Sequence, residues 1–336
     1  MVTVRRSVLD LSVLNAGQSS SEALATTTAL ARRADGLGYE RFWVAEHHNM
    51  PSVACTSPVV LIAHLAAVTQ RMRVGSGGVM LPNHAPLVVA EQFAMLEALH
   101  PGRIDVGIGR APGTDGATAA ALRRTTNLAV DDFPSDLIDL MGLLGDPRTD
   151  TGLWNRFKAT PAPATHPSVF LLGSSDYSAR LAAQLGLPFG FAHHFDLAGP
   201  DMRHTVNVAA LYRDLFRPSP VLAEPWLVIT ANVLAADTVE EAEWHALPGR
   251  LTALGRRTGR FEPMRSPDEA AAHPQVDEAR RLPTGRIVGD AATVQAGIDD
   301  LVAHTQADEV MITCVAHDLS ARIRSLELLA PVTTTP

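Results

Sequence analysis

The chain has almost no lysine and almost no cysteine. Lys158 is its single lysine, and Cys55 and Cys314 are its two cysteines. Two cysteines this far apart give neither a disulfide framework nor a zinc-ligand spacing. No dense basic stripe is present and the formal charge is −8 at pH 7, which argues against nucleic acid as a partner. No stretch is apolar for long enough to span a membrane, and no run of signal-peptide length follows Arg5 and Arg6. The expectation is a cytoplasmic protein without a membrane partner. Three chemical signatures are missing as well. There is no G-x-G-x-x-G, no phosphate-loop lysine and no G-x-S-x-G, so a Rossmann-bound dinucleotide, ATP and a serine-hydrolase elbow all lack support.

What the 336 residues do carry is a globular balance, 46% hydrophobic and 19% charged. Short apolar runs alternate with amphipathic ones along the whole length. Strands are predicted at about 7–13, 40–45, 72–79, 103–109, 168–173, 188–192, 226–234 and 308–314. Helix-period segments lie between most of them. The clearest is 21–37, with Leu24, Thr27, Leu30, Ala31, Ala34 and Leu37 on one face and serines at 19–21 to cap it. Another runs from Thr56-Ser57-Pro58 to Val68, with a cap and a first-turn proline. Eight strands with helical crossovers predict an α/β fold, a single TIM (β/α)8 barrel domain over 1–336. The connections at 110–167 and 236–307 are long. Both follow strand C-termini, where a barrel keeps its active site, and both read as walls or lids there, with plain surface insertion as the alternative. The tail after Ala330 is expected to fray.

Four strand ends carry candidate chemistry. Glu46-His47-His48 ends the second strand. These side chains suit metal ligation, a base with its orienting partner, or hydrogen-bonding architecture. His84, His193 and His194 are available as further ligands, yet neighbouring strand residues diverge, so His47 and His48 would not share one ion. The third strand ends in Gly75-Ser76-Gly77-Gly78, read as a bulge or as a close approach to a flat ligand. Arg110 leaves the fourth strand, where a buried guanidinium needs an anion or a polar ring edge. Arg123 and Arg124 follow on a helix. The fifth strand runs into Gly173-Ser174-Ser175-Asp176-Tyr177-Ser178. That turn is either an anion site on helix amides and serine hydroxyls or ordinary helix capping.

The stretches RFWVAEHHN at 41–49, VGSGGVMLPNHAPLVVAEQF at 74–93, HPGRIDVGIGRAPGTD at 100–115 and LLGSSDYSARLAAQLGLPFGFAHHF at 171–195 together resemble the bacterial luciferase-like flavin monooxygenase family. The likeness spans strands two to six and is weaker at the first and last. It is to the single-subunit branch, some members of which act in polyketide and antibiotic biosynthesis. The resemblance implies reduced FMN as co-substrate, a separate flavin reductase to supply it, and dioxygen. It implies a flavin hydroperoxide that oxygenates a small organic molecule by epoxidation, hydroxylation or Baeyer–Villiger insertion. It makes His47 the acid or base, with Glu46 beside the flavin. It places a non-prolyl cis peptide at Gly77-Gly78 beneath the ring and Arg110 at the flavin, favouring its reduced anion. It puts the phosphate on Gly173, Ser174, Ser175 and Ser178, with Arg123 as a further phosphate arginine, and leaves His48, His193 and His194 to the substrate pocket. No metal is implied. A homodimer is, through helices at about 58–69 and 86–99. Two positions depart from luciferase. Gly109 stands where it has a reactive cysteine, which opens space near the reacting carbon, and His193 where it has a tryptophan. Aldehyde oxidation with light emission is therefore not expected. The rival readings are a deazaflavin-dependent hydride-transfer oxidoreductase, a non-catalytic flavin-binding protein, and a metal-dependent hydrolase using Glu46, His47 and His193.

Overall fold

The eight apolar runs become eight parallel strands that close on themselves. The computed structural model describes residues 4–123, 132–195 and 201–331. The barrel strands are β1 (Arg5–Asp10), β2 (Arg41–Val44), β3 (Arg73–Ser76), β4 (Ile104–Gly109), β5 (Ser168–Gly173), β6 (Phe189–Phe191), β7 (Leu227–Ala236) and β8 (Glu309–Thr313). Each pairs in parallel with the next, and β8 returns to β1 from Arg5↔Glu309 to Val8↔Ile312. This is the expected TIM barrel, with strand ends moved by a few residues.

Two short strands were not expected as separate elements. The predicted strand 72–79 is interrupted: pairing with β4 lapses at Gly77-Gly78, whose peptide bond is cis, and resumes at Val79–Met80 against Ile108 and Gly109. Ile287–Asp290 adds beside the end of β7, from Val233↔Ile287 to Ala236↔Asp290. It is only partly buried, so it carries little apolar signal of its own.

The helices start for identifiable reasons. Ser19 and Glu22 form a reciprocal capping box that begins Ser20–Leu37, and Ala23, Thr27, Leu30, Ala31 and Ala34 face the barrel. Pro58–Val68 begins differently from expectation. Ser57 sits at the cap position but makes no capping bond, so the pre-set φ of Pro58 starts that helix instead. The two long connections divide their labour. In 110–167, Gly116–Arg123 lies against Leu81–Asn83, and Phe133–Leu143 packs on Pro86–Leu99 and on Leu81–Asn83 as well. In 236–307, Val239–Arg257 continues from β7 and packs on its extension, and Ala291–Thr305 packs outside the barrel. Arg124 and residues 332–336 lie outside the described residues, as does the side chain of Arg123. Among the described residues no helix is long and apolar enough to cross a membrane.

The base of the barrel is closed by charge rather than by hydrocarbon. Arg41 donates to Asp105 at 2.8 Å and to Glu309 at 2.7 Å. Arg73 Nε and Trp43 Nε1 also donate to Asp105, at 2.8 and 3.0 Å, and Ser7 donates to Glu309. Asp105 and Glu309 are fully buried. A buried cluster of this kind survives because its charges alternate and are hydrogen-bonded; removing one partner strands the rest. Asp105→Ala leaves Arg41 and Arg73 without this partner, and urea unfolding should show a loss of about 3–5 kcal/mol. A change below about 1 kcal/mol would mean that the network contributes little.

Candidate active site

The C-terminal ends of the strands enclose a cavity of about 190 Å³. Leu9, Trp43, Leu172 and Met311 supply apolar lining from four strands, and Trp43 is braced edge-on by Phe170 at 4.9 Å. Gly77, Gly78, Gly109, Arg110, Gly173, Ser174, Ser175, Ser178 and His194 all line it. The fold thus brings segments from β3, β4, β5 and β6 to one place. Gly78 is required by packing: a Cβ there would lie 2.7 Å from the Gly107 carbonyl oxygen.

The serine turn leaves the cap of its own helix unmade. Ser175 occupies the cap position of Asp176–Leu185, yet its side chain makes no capping bond. Ser178 Oγ donates to the Ser175 carbonyl at 3.1 Å and lies 3.2 Å from Ser175 Oγ. The hydroxyls are gathered beside first-turn amides that they do not satisfy, which is the arrangement of an anion site. Gly173 makes room for it, since a Cβ there would fall 2.0 Å from Ser178 Oγ. Arg110 belongs to this end of the cavity. Its guanidinium carbon stacks 4.1 Å from the Tyr177 ring, next to the serines.

Glu46 does not line the cavity. Its carboxylate is 1% exposed and accepts from the Met80 amide (3.0 Å), Asn83 Nδ2 (3.1 Å), His84 Nε2 (2.9 Å) and His48 Nε2 (2.8 Å). Burial pushes its pKa up, but the bonds from His84, Met80 and Asn83 outweigh that and hold it below the usual range. An ionised carboxylate only accepts, so His48 and His84 carry their protons on Nε2. His48 is thereby turned toward Glu46 rather than into the cavity.

The remaining histidines divide clearly. His193 is buried, with Nδ1 2.8 Å from Thr205 Oγ1, and is absent from the lining. His194 lines the cavity, with Nδ1 2.5 Å from Thr230 Oγ1. Burial, then the charges of His193, His47 and Arg256, push its pKa down to about 3. His47, expected as the acid or base, is absent from the lining, and its Nδ1 is buried and unpartnered. Burial, then the positive charge of Arg256, lower its pKa too. Both rings are neutral at pH 7. No three His, Cys, Asp or Glu side chains among the described residues are grouped to hold a metal ion.

The sequence pattern of the family described as luciferase-like monooxygenase matches residues 4–309. A luciferase-like monooxygenase of Escherichia coli strain K12 is 41% identical over 336 residues, covering 98% of this chain and 97% of that one. The crystal structure of apo-MsnO8 superposes with a TM-score of 0.88 at 36% identity, over 97% of each chain. The chain belongs to the luciferase-like monooxygenase family. It is an enzyme of the flavin-dependent monooxygenase class that the sequence led us to expect. The oxygenating constituent of 3,6-diketocamphane monooxygenase from Pseudomonas putida, in complex with FMN, shares the fold with a TM-score of 0.71 at 19% identity over 97% of this chain and 96% of that one.

Within the family frame, two features differ from the sequence reading. Gly109 does not open a void: Met80 fills the space, with Sδ 2.8 Å from where a Cβ would stand. Arg256 was not singled out at all. It ends the helix Val239–Arg257 and lies within electrostatic reach of His47 and His194. Nothing in its surroundings in sequence marks it off from its arginine neighbours.

The histidine shifts have a measurable consequence. An unfolded histidine takes up its proton near pH ~6.5, but folded His194 does so only near about 3. Between those values protons favour the unfolded chain. This contribution to stability is complete above about pH 6.5 and falls as the pH drops. His194→Gln removes it. Urea unfolding at pH 7 and pH 5 should show the wild type losing about 2 kcal/mol more than the variant. Equal losses would show that His194 is not held neutral.

Proposed function

We propose that the cavity takes reduced FMN, with its phosphate on the serine turn and Arg110 and its ring over Gly77-Gly78, and that the enzyme oxygenates a small organic substrate with dioxygen by hydroxylation or epoxidation. The observation that carries this reading is the serine turn: two gathered hydroxyls, unspent helix amides and an arginine beside them. They offer a phosphate donors and charge together. The crystal structure of the distant Pseudomonas relative holds FMN, which supports the choice of cofactor.

Bound reduced flavin supplies the electrons that activate dioxygen. The chain's residues supply position, dryness and protons. Trp43, Leu172, Leu9 and Met311 keep the lining apolar, which limits water at the reacting edge. His47 is neutral, with an unpartnered Nδ1, and accepts or returns a proton there. Arg110 binds the phosphate rather than the ring. Glu46 acts through the loops it holds rather than by touching the flavin. With no nicotinamide motif in the chain, reduced FMN comes from a separate flavin reductase. Val60, Val88, Met95 and Leu99 are exposed on Pro58–Val68 and Pro86–Leu99, and a second copy of the chain covers them in a homodimer.

Mixing the protein with photoreduced FMN and dioxygen should give a transient absorbance unlike either oxidised or reduced flavin, with reoxidation slower than in buffer. No transient and reoxidation at the buffer rate would reject the oxygenase reading. Ser178→Ala should weaken FMN binding by about tenfold, the loss of one charge-assisted hydrogen bond, while riboflavin, which lacks the phosphate, binds the variant and wild type alike. An equal loss for riboflavin would move the phosphate elsewhere. For the dimer, Val60→Asp combined with Leu99→Asp should sediment as a monomer where the wild type does not.

A further inference from the structure

The hydrogen bonds around His194 fix which of its nitrogens carries the proton. Thr230 Oγ1 lies 2.5 Å from His194 Nδ1 and donates to the Phe191 carbonyl at 3.1 Å. A hydroxyl has one proton to give. With that proton on Phe191, the oxygen accepts from His194, so Nδ1 holds the imidazole hydrogen. Burial keeps the ring uncharged at pH 7, so Nε2 carries a lone pair and no hydrogen. The ring is also held in place from a second side, by Phe195 at 4.2 Å between centroids. His194, Phe195 and Thr230 all line the cavity. Among the described residues no donor meets Nε2, and the atom is open rather than sealed in protein.

The strand order sets this acceptor apart from the cofactor. As proposed, the flavin runs from the glycine pair after β3 to the serine turn after β5. His194 follows β6 and Thr230 lies on β7, so both stand on the next arc of the mouth, which that placement leaves free. Met311 on β8 and Leu9 on β1 continue the arc as apolar wall. A lone pair set in such a wall favours a hydrogen-bond donor and disfavours an anion. We propose that His194 Nε2 accepts a hydrogen bond from a neutral hydroxyl on the organic substrate, which makes His194 a specificity-determining residue and the substrate an uncharged, apolar molecule that bears a hydroxyl. A ring this hard to protonate takes no proton from that hydroxyl; it orients the molecule. The inference rests on the oxygenase reading for the place of the cofactor, while the acceptor itself can be tested without flavin.

The compounds para-propylphenol and para-propylfluorobenzene match closely in shape, and only the first has a proton to donate. Calorimetric titration at pH 7, with and without bound FMN, should show the phenol binding at least about tenfold more tightly, the worth of one hydrogen bond in an apolar site. The anion para-propylbenzoate should bind more weakly than the phenol. His194→Phe should bring phenol and fluorobenzene within about twofold of each other, with FMN affinity also changed by less than about twofold. Nitrogen–proton correlation spectra of the wild type should show an imidazole protonated at Nδ1 whose Nε2 resonance moves on adding the phenol and not the fluorobenzene. That resonance should be missing from His194→Phe; if the variant misfolds, the wild-type response decides. Equal binding of phenol and fluorobenzene, no binding of the phenol, a benzoate that binds as tightly, a preference that survives His194→Phe, or a hydrogen on Nε2 overturns the proposal. So does a larger loss of FMN affinity in His194→Phe, which would give the residue to the flavin. Failure of the wild type to bind FMN sinks the flavin reading instead, and the FMN-free titration still judges His194.

Discussion

The carboxylate of Glu46 holds the mouth of this barrel in shape. It is buried, ionised and saturated by donors from two different strand ends: His48 from the segment after β2, and Met80, Asn83 and His84 from the segment after β3. The Glu46 amide donates to the Gly78 carbonyl, and the Gly77 amide to that of Val44. One side chain and two amides therefore fix where the glycine pair lies and where Met80 points. A buried charge with fewer partners would be costly; with four it becomes rigid, because moving any donor leaves the charge short. Met80 is held on one side by this bond and packs on Gly109 on the other. The wall of the cavity thus depends on a group that does not touch the cavity.

The two ends of the barrel treat charge in opposite ways. At the base, Arg41 and Arg73 meet Asp105, and Arg41 also meets Glu309, so each cation has its acid. At the mouth, Arg110 stacks on a tyrosine, while Arg256 and Arg286 lack carboxylates among the described residues. The first pattern stabilises a closed interior. The second leaves electrostatic demand open for ligands. Paired charge at the stable end and unpaired charge at the loop end is the physical form of the division between the two faces of such barrels.

This division also explains what was legible in the sequence. Barrel strands are buried on both faces, so they stand out as short apolar runs between helical segments. The serine turn was legible as a strand-to-helix junction rich in hydroxyls, though only the unmade cap at Ser175 separates an anion site from a simple cap. The roles of Glu46 and the paired histidines were not legible. Adjacent strand residues point to opposite sides, but which side faces the ligand depends on Met80 and His84 from another strand. The stacking of Arg110 on Tyr177 was not legible either, since nothing local in the sequence pairs them. His193 and His194 are adjacent, and the choice between them is made by Thr205 and Thr230, residues 12 and 36 positions away. Arg256 depends on the path of a whole helix. Function at this mouth is written in contacts between distant segments.

The same logic bears on how this enzyme differs from the light-emitting member it resembles. The exchange to Gly109 removes a thiol, but the thioether of Met80 takes the volume, so the change is chemical before it is spatial. A thioether is a softer and less acidic neighbour than a thiol and offers no proton. The exchange after the sixth strand puts the His193 imidazole where an indole would stand, with His194 next to it. One is turned inward to Thr205, and the other lines the cavity uncharged, because its pKa lies far below neutrality. His47, outside the cavity lining, keeps a buried ring nitrogen without a partner. Burial first, and the charge of Arg256 second, hold it neutral.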